Sequence, residues 1–210
     1  ICHNGDCVHA PVVVVPGINH SPTYLYDEND EPVLNKDGKR IGGTLLILDT
    51  DNLVTVILKK LAWPLVKMLA TQTDSGFPKA VYETVCDLFS IQKCDNEGNP
   101  INNLKTEKYG SPADMDKDTR DWAYRMIPMQ KLTNIIGEDH VYFFTFNLVG
   151  SPMDSAANLN EYIQQVKKAT GHDKVNLLNV SLGGTIFTAY LDAYGYKDIN
   201  QVVNAVAATD

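Results

Sequence analysis

The chain has 210 residues, 44% of them hydrophobic and 21% charged, a make-up that suits one globular domain with a sizeable core and room for an insertion. Its 18 Lys and Arg against 26 Asp and Glu leave a net charge of −8, which excludes the basic footprint of a nucleic-acid binder. No stretch approaches the roughly 18 unbroken apolar residues of a membrane-spanning helix, so the expectation is a soluble or at most peripheral protein.

The sequence begins at Ile1 without an initiator Met, as after removal of a signal or pro segment, or after trimming. Four cysteines fall as two close pairs, Cys2 with Cys7 and Cys86 with Cys94. They permit disulfides in an oxidising compartment, and free buried thiols are the equal alternative. An extracellular or cell-surface location is the corresponding expectation. Neither pair has the two-residue spacer of a zinc knuckle, even with His3 and His9 nearby, so no metal ligand set is assigned.

Taken in order, Pro11 to Gly17 reads PVVVVPG, β-branched residues ended by Pro-Gly, the pattern of a strand buried on both faces. Asp27 to Gly43 is rich in Asp, Asn, Glu and Gly, with an Asp37-Gly38 turn signal, and reads as a surface hairpin or loop. Its acidic cluster, Asp27, Glu28, Asp30 and Glu31, lacks the ligand spacing and glycine of an EF-hand, so a solvated loop is favoured over calcium. Leu53 to Ala70 is an amphipathic helical segment with a break at Pro64. Packing against a body and a lid that touches lipid are its two uses. Cys94 to Thr119 is polar and turn-rich and is expected to be loop or insertion. A helix follows around Trp122 to Ile136, stopped by Gly137.

Val141 to Phe146 predicts a buried strand. A helix capped by Asp154 or Ser155 then places Leu159, Tyr162, Ile163 and Val166 on one face and ends in Lys167, Lys168 and Gly171. Val175 to Val180 predicts a second strand, Leu182 to Tyr194 a helix ended by Gly195, and Val202 to Ala207 a further strand. Strands alternating with helices demand right-handed crossovers, hence an α/β fold with a mainly parallel sheet flanked by helices.

The chemical signal is Asn179-Val180-Ser181-Leu182-Gly183-Gly184, a serine on a strand-to-helix turn. Such a turn holds the hydroxyl clear at the C-terminal edge of the sheet, where open α/β sheets place ligands. The Leu182 N–H would meet a substrate carbonyl oxygen, helped by the helix dipole. Asn179 stands where Gly-x-Ser-x-Gly has its first glycine, and Gly183 avoids crowding the turn. The bland alternative is that Ser181 merely caps the helix. A second oxyanion donor is expected from the loop after an early strand, and Pro16-Gly17-Ile18-Asn19-His20 is so placed. Ile18 would offer its N–H, Gly17 would let substrate approach, and His20 and Ser21 would line the mouth, with Gly17, Asn19 and His20 as the substrate-binding residues; the alternative is an ordinary strand-end turn.

These residues resemble the lipases similar to lecithin:cholesterol acyltransferase, within the α/β-hydrolase superfamily. The resemblance rests on VVVVPGI at residues 12–18 and on the run from Val141 through Gly184, with its Pro152-Met153 turn and KVNLLNVSLGG, together about a quarter of the chain. It implies acyl transfer from lipid or other esters through a serine, aspartate and histidine triad without a cofactor. By position it implies Ser181 as nucleophile and Leu182 and Ile18 as oxyanion donors. Val180 stands where the family commonly has histidine, and Asn147, Leu148 and Val149 stand where it often has Tyr-Asp-Trp-Arg, so substrate specificity is open. The insertions over about residues 21–137 would be cap elements.

In α/β-hydrolases the acid and histidine follow the serine. Only 29 residues follow Ser181, without a histidine, and His3, His9, His20, His140 and His172 all precede it. His140 and His172 are expected at strand beginnings, on the edge opposite Ser181; Asp210 closes the last predicted strand. The expectation is therefore the N-terminal portion of one hydrolase domain over 1–210, inactive alone. The competing reading is a binding or scaffold protein with a hydrolase-like fold. A nucleotide-binding sheet is disfavoured, because Gly183-Gly184 lacks both the three-glycine fingerprint and the P-loop lysine.

Overall fold

The structure, a computed structural model, describes residues 9–18, 20–44, 50–127 and 129–209, without the side chains of residues 50–53. The chain divides into two units, Ile1–Ser21 with Thr106–Asp210, and Pro22–Lys105. The expected cap region of residues 21–137 is thus shared: 22–105 form a unit of their own, and the helices after residue 116 cluster with the sheet.

The first unit is an α/β layer structure. Strands β1 (Val12–Val15), β5 (Val141–Phe143), β6 (Val175–Val180) and β7 (Ile199–Ala205) form one sheet in the order β5-β1-β6-β7, every pair parallel. β1 is central, and the two-residue period of a strand sends its side chains to opposite faces. Val13 and Val15 join the core made by α5 (Pro152–Thr170) and α6 (Gly183–Tyr194), with Leu159, Ile163, Leu177 and Phe187. Val14 joins the other core, with Ala123, Ile127, Ile136, Val141 and Phe143. Val13 to Val15 are fully buried, which explains the unbroken β-branched run; each such burial contributes about 1.5–3 kcal/mol. β7 is the outer strand and exposes Val203.

The helical segment expected over 122–136 is two helices, α3 (Lys117–Met126) and α4 (Gln130–Ile136). Pro128 accounts for the interruption. The residue before a proline is pushed out of the helical region, and Ile127 has φ −132 and ψ 106. Asp116 caps α3, accepting from the Asp118 and Thr119 amides, and its hydrogen bonds from Thr119 hold its carboxyl below the ordinary value. The cap of α5 is Ser151 rather than Asp154 or Ser155: its hydroxyl accepts the Met153 N–H, and Pro152 opens the helix. At the other end Lys167 pairs with Asp198 at 2.6 Å. The last strand begins earlier than expected, at Ile199, and stops at Ala205, because Val206 turns into the left-handed region at φ 48.

The second unit contains a sheet of β2 (Thr23–Leu25), β3 (Gly42–Gly43) and β4 (Leu104–Thr106), in the order β3-β2-β4, with β2 and β3 antiparallel. β4 lies in the stretch expected to be loop. The hairpin between β2 and β3 turns at Asn35–Gly38, near the expected Asp37-Gly38. Asp27, Asn35 and Asp95 close three similar turns, each side-chain oxygen accepting amides two and four residues ahead. The acidic cluster is engaged in this way: Asp27 accepts the Glu31 and Asn29 amides, and Asp30 pairs with Lys105 at 2.6 Å.

Helices α1 (Thr50–Thr71) and α2 (Phe77–Leu88) pack as a hairpin, with Lys60 paired to Asp87. The expected break at Pro64 does not occur, and α1 runs through it. Half-buried Leu61, Pro64 and Met68 lie on one face of α1, and packing on α2 offsets the missing Pro64 hydrogen bond. Beside that face α1 exposes Val54, Leu58, Leu65 and Leu69, and α2 exposes Tyr82, Val85 and Phe89. Cys86 is a free thiol; Cys2, Cys7 and His3 lie outside the described residues. Among the described residues no helix is long and apolar enough to cross a membrane.

Candidate active site

β6 ends at Val180 and α6 begins at Gly183, so Ser181 and Leu182 make the turn at the C-terminal edge of the sheet. Ser181 adopts φ 49, a left-handed conformation that costs an L-residue about 1–2 kcal/mol. Backbone bonds hold it there. Its N–H donates to the Ala205 carbonyl at 3.3 Å, and its own carbonyl accepts from Gly184 at 3.0 Å and Ala208 at 2.8 Å. Ser181 does not cap α6, whose N-cap is Leu182 with no side-chain cap bond. The hydroxyl has no hydrogen-bond partner among the described residues.

Two glycines let the loop after β1 meet this turn. A Cβ on Gly17 would lie 3.0 Å from Ser181 Cβ and 3.6 Å from Ser181 Oγ. One on Gly183 would lie 2.2 Å from the Val15 carbonyl oxygen and 2.8 Å from that of Pro16. The end of β1 and the start of α6 are therefore in backbone contact, which brings Gly17 against Ser181. Ile18 follows, 48% exposed. Neither the Ile18 nor the Leu182 amide donates to a backbone carbonyl among the described residues. No acidic side chain lies in the first turn of α6, so the positive end of its dipole is left to act on an anion.

The other expected site residues divide. Asn19 lies outside the described residues, as does Asp210. His20 turns toward α3, its Nε2–H donating to the Met126 carbonyl at 3.2 Å. It lines a small apolar pocket with Pro16, Trp122, Met126 and Phe143, and its buried Nδ1 has no partner among the described residues. His140 and His172 precede β5 and β6, at the opposite end of the parallel sheet from Ser181. Among the described residues no histidine hydrogen-bonds to Ser181.

Asn179 is fully buried and donates from Nδ2 to Asn204 Oδ1 at 2.9 Å, across the β6–β7 pair. Asn204 and the Ala205–Ala208 segment were not marked by sequence reasoning. Their role is carried by register and backbone groups, and the one trace in the sequence is the asparagine at 179. Comparison with known protein families and with curated proteins finds no match for this chain.

Proposed function

We propose that this chain is part of a serine hydrolase of the α/β-hydrolase kind, acting on carboxylic esters, lipid esters first, through an acyl-enzyme. The observation that carries the proposal is Ser181 held at φ 49 between strand and helix, with Gly17 of the β1 loop packed against it. Strain of this kind persists where the surroundings over-determine it and is a pointer to function. A capping or surface serine needs neither that conformation nor that neighbour.

In this mechanism Ser181 Oγ attacks the ester carbonyl and a histidine takes its proton. The Leu182 and Ile18 N–H groups hold the oxyanion, and the histidine returns the proton to the leaving alcohol. Water, or an acceptor alcohol as in the acyltransferases the sequence resembles, then releases the acyl group. Residues 1–210 are assigned neither the acid nor the histidine, and without them Ser181 would be nearly inactive. The exposed apolar side chains of α1 and α2 support a lipid substrate, because such a face suits contact with a lipid interface. An extracellular or cell-surface setting, without a cofactor, belongs to the same proposal.

A binding protein with a hydrolase-like fold is the second reading, favoured by the absence of a histidine bonded to Ser181 among the described residues. A fluorophosphonate probe on the full-length protein, beside Ser181→Ala, separates the two. Labelling that the variant abolishes is the expected result. A folded full-length protein that takes no label would sink the hydrolase and leave the binding protein.

A further inference from the structure

The parallel ladder that puts Ser181 at one end of the sheet gathers two histidines at the other. His140 closes the 3-10 turn Glu138–His140 directly before β5, and His172 stands shortly before β6, with β1 between the two strands. Their rings are nearly perpendicular, with centroids 6.0 Å apart. His140 is 4% exposed, and its Nδ1 lies 3.0 Å from Asp139 Oδ1. An ionised carboxylate only accepts, so Nδ1 carries the proton and Nε2 presents a lone pair. That Nε2 is buried and has no hydrogen-bond partner among the described residues.

A carboxylate holding one ring nitrogen, with the other left as a bare donor pair, is the outer-shell arrangement that orients metal-ligating histidines. The spacing agrees. Two imidazoles on one zinc, at about 2.0–2.1 Å from each nitrogen, place their centroids roughly 5 Å apart in tetrahedral geometry and roughly 6 Å at wider angles. The observed 6.0 Å lies within that range.

We propose that His140 and His172 bind a borderline divalent cation, zinc first. Nε2 of His140 is one ligand, a ring nitrogen of His172 the second, and water fills the remaining positions. Neutral imidazoles select late first-row ions over calcium and magnesium, which take oxygen ligands. Among the described residues no third His, Cys, Asp or Glu joins the pair, so binding is weaker than at a closed structural site of four protein ligands. Bound there, the ion ties the turn before β5 to the connection between α5 and β6, far from Ser181. The site stands whether or not Ser181 is a nucleophile.

Zinc titrated into the full chain, followed by nitrogen-detected histidine ring NMR and by calorimetry, tests this. Nε2 of His140 and one ring nitrogen of His172 are expected to shift together and saturate at one equivalent, with calcium and magnesium leaving them unmoved. His172→Ala, at a part-buried ring, is expected to melt as the unsubstituted protein does without zinc and to bind zinc at least tenfold more weakly. Asp139→Asn, on an exposed side chain, is expected to weaken binding as well. Ring signals that stay in place while zinc binds elsewhere, or a His172→Ala protein with undiminished affinity and shifts, would overturn the site. Should His172→Ala fail to fold, the ring signals of the unsubstituted protein decide alone.

Discussion

Gly183→Ala puts the contact between the two site loops under direct test. Gly183 is helical with no positive φ, so an added methyl meets no backbone strain and gains about 1 kcal/mol of helix propensity. Its Cβ would instead lie 2.2 Å from the Val15 carbonyl oxygen and 2.8 Å from that of Pro16. Comfortable separation is about 3.5 Å, so the first contact falls short by more than ~1 Å. Both neighbours are backbone carbonyls, which cannot rotate away, and the start of α6 must retreat from the end of β1. Overpacking typically costs 1–3 kcal/mol and more where backbone moves; after the propensity gain, a net loss of about 3 kcal/mol is expected. For a chain of this length that lowers the melting temperature by roughly 6–12 °C. The assay is thermal unfolding by circular dichroism, with Gly110→Ala beside it, because a Cβ there meets only an Asp114 carboxylate oxygen at 3.6 Å. A Gly183→Ala protein that melts with Gly110→Ala would refute the close approach, and with it the placement of Gly17 against Ser181.

Gly17→Ala would set a methyl 3.0 Å from Ser181 Cβ; in the full-length protein, probe labelling is expected to slow at least tenfold while the melting temperature moves by only a few degrees, and unchanged labelling would detach Gly17 from the site. Asp198 is nearly buried, which by itself raises its carboxyl, but hydrogen bonds from Lys167 at 2.6 Å and Gln164 at 3.0 Å outweigh this and hold it below the ordinary 3.8. A carboxyl depressed in the folded state contributes stability above its unfolded value and loses it as pH falls through the folded one. Asp198→Asn is therefore expected to cost about 2 kcal/mol at neutral pH, with the gap closing below about pH 4; a gap that is constant in pH, measured by denaturant unfolding, would show that the pair contributes nothing through charge.

The sheet was legible because its strands carry unmistakable patterns. PVVVVPG is apolar on both faces because β1 is central, and Val175–Val180 was found with its observed limits because alternate residues face the α5 and α6 core. The helix α5 was legible from its Leu159, Ile163 and Val166 stripe. What escaped were features set by a single residue or by distant partners. A helix ends at the residues before Pro128, whereas α1 runs through Pro64, although both are prolines. The strands β2, β3 and β4 are two or three residues long, too short for a periodic signal, and they are positioned by Asx turns whose common spacing at Asp27, Asn35 and Asp95 shows only once the side-chain oxygens are seen closing them. Of the candidate site, the placement of a serine and a glycine at two strand ends was legible. The orientation of His20, and the hold of Ala205 and Ala208 on Ser181, depend on tertiary register that no local pattern encodes.

Asn179 shows how that register bears on chemistry. A glycine in its place usually keeps the nucleophile turn uncrowded, so an asparagine there looks like a defect. In the structure it faces the same side as Val175 and Leu177, all three buried, and lies in register with Asn204 on β7. Its side chain runs along the ladder to Asn204 and leaves the turn clear; the tight contacts fall on Gly17 and Gly183 instead. The amide pair also ties the strands one step before Val180 and Ala205, the last paired residues. From there Val206 turns at φ 48, and the Ala208 N–H reaches back to the Ser181 carbonyl. The strain at Ser181 is thus supported from both neighbouring strands, by Gly17 after β1 and by the backbone after β7. The asparagine helps to fix the turn, and its presence does not by itself argue that the turn has lost its use.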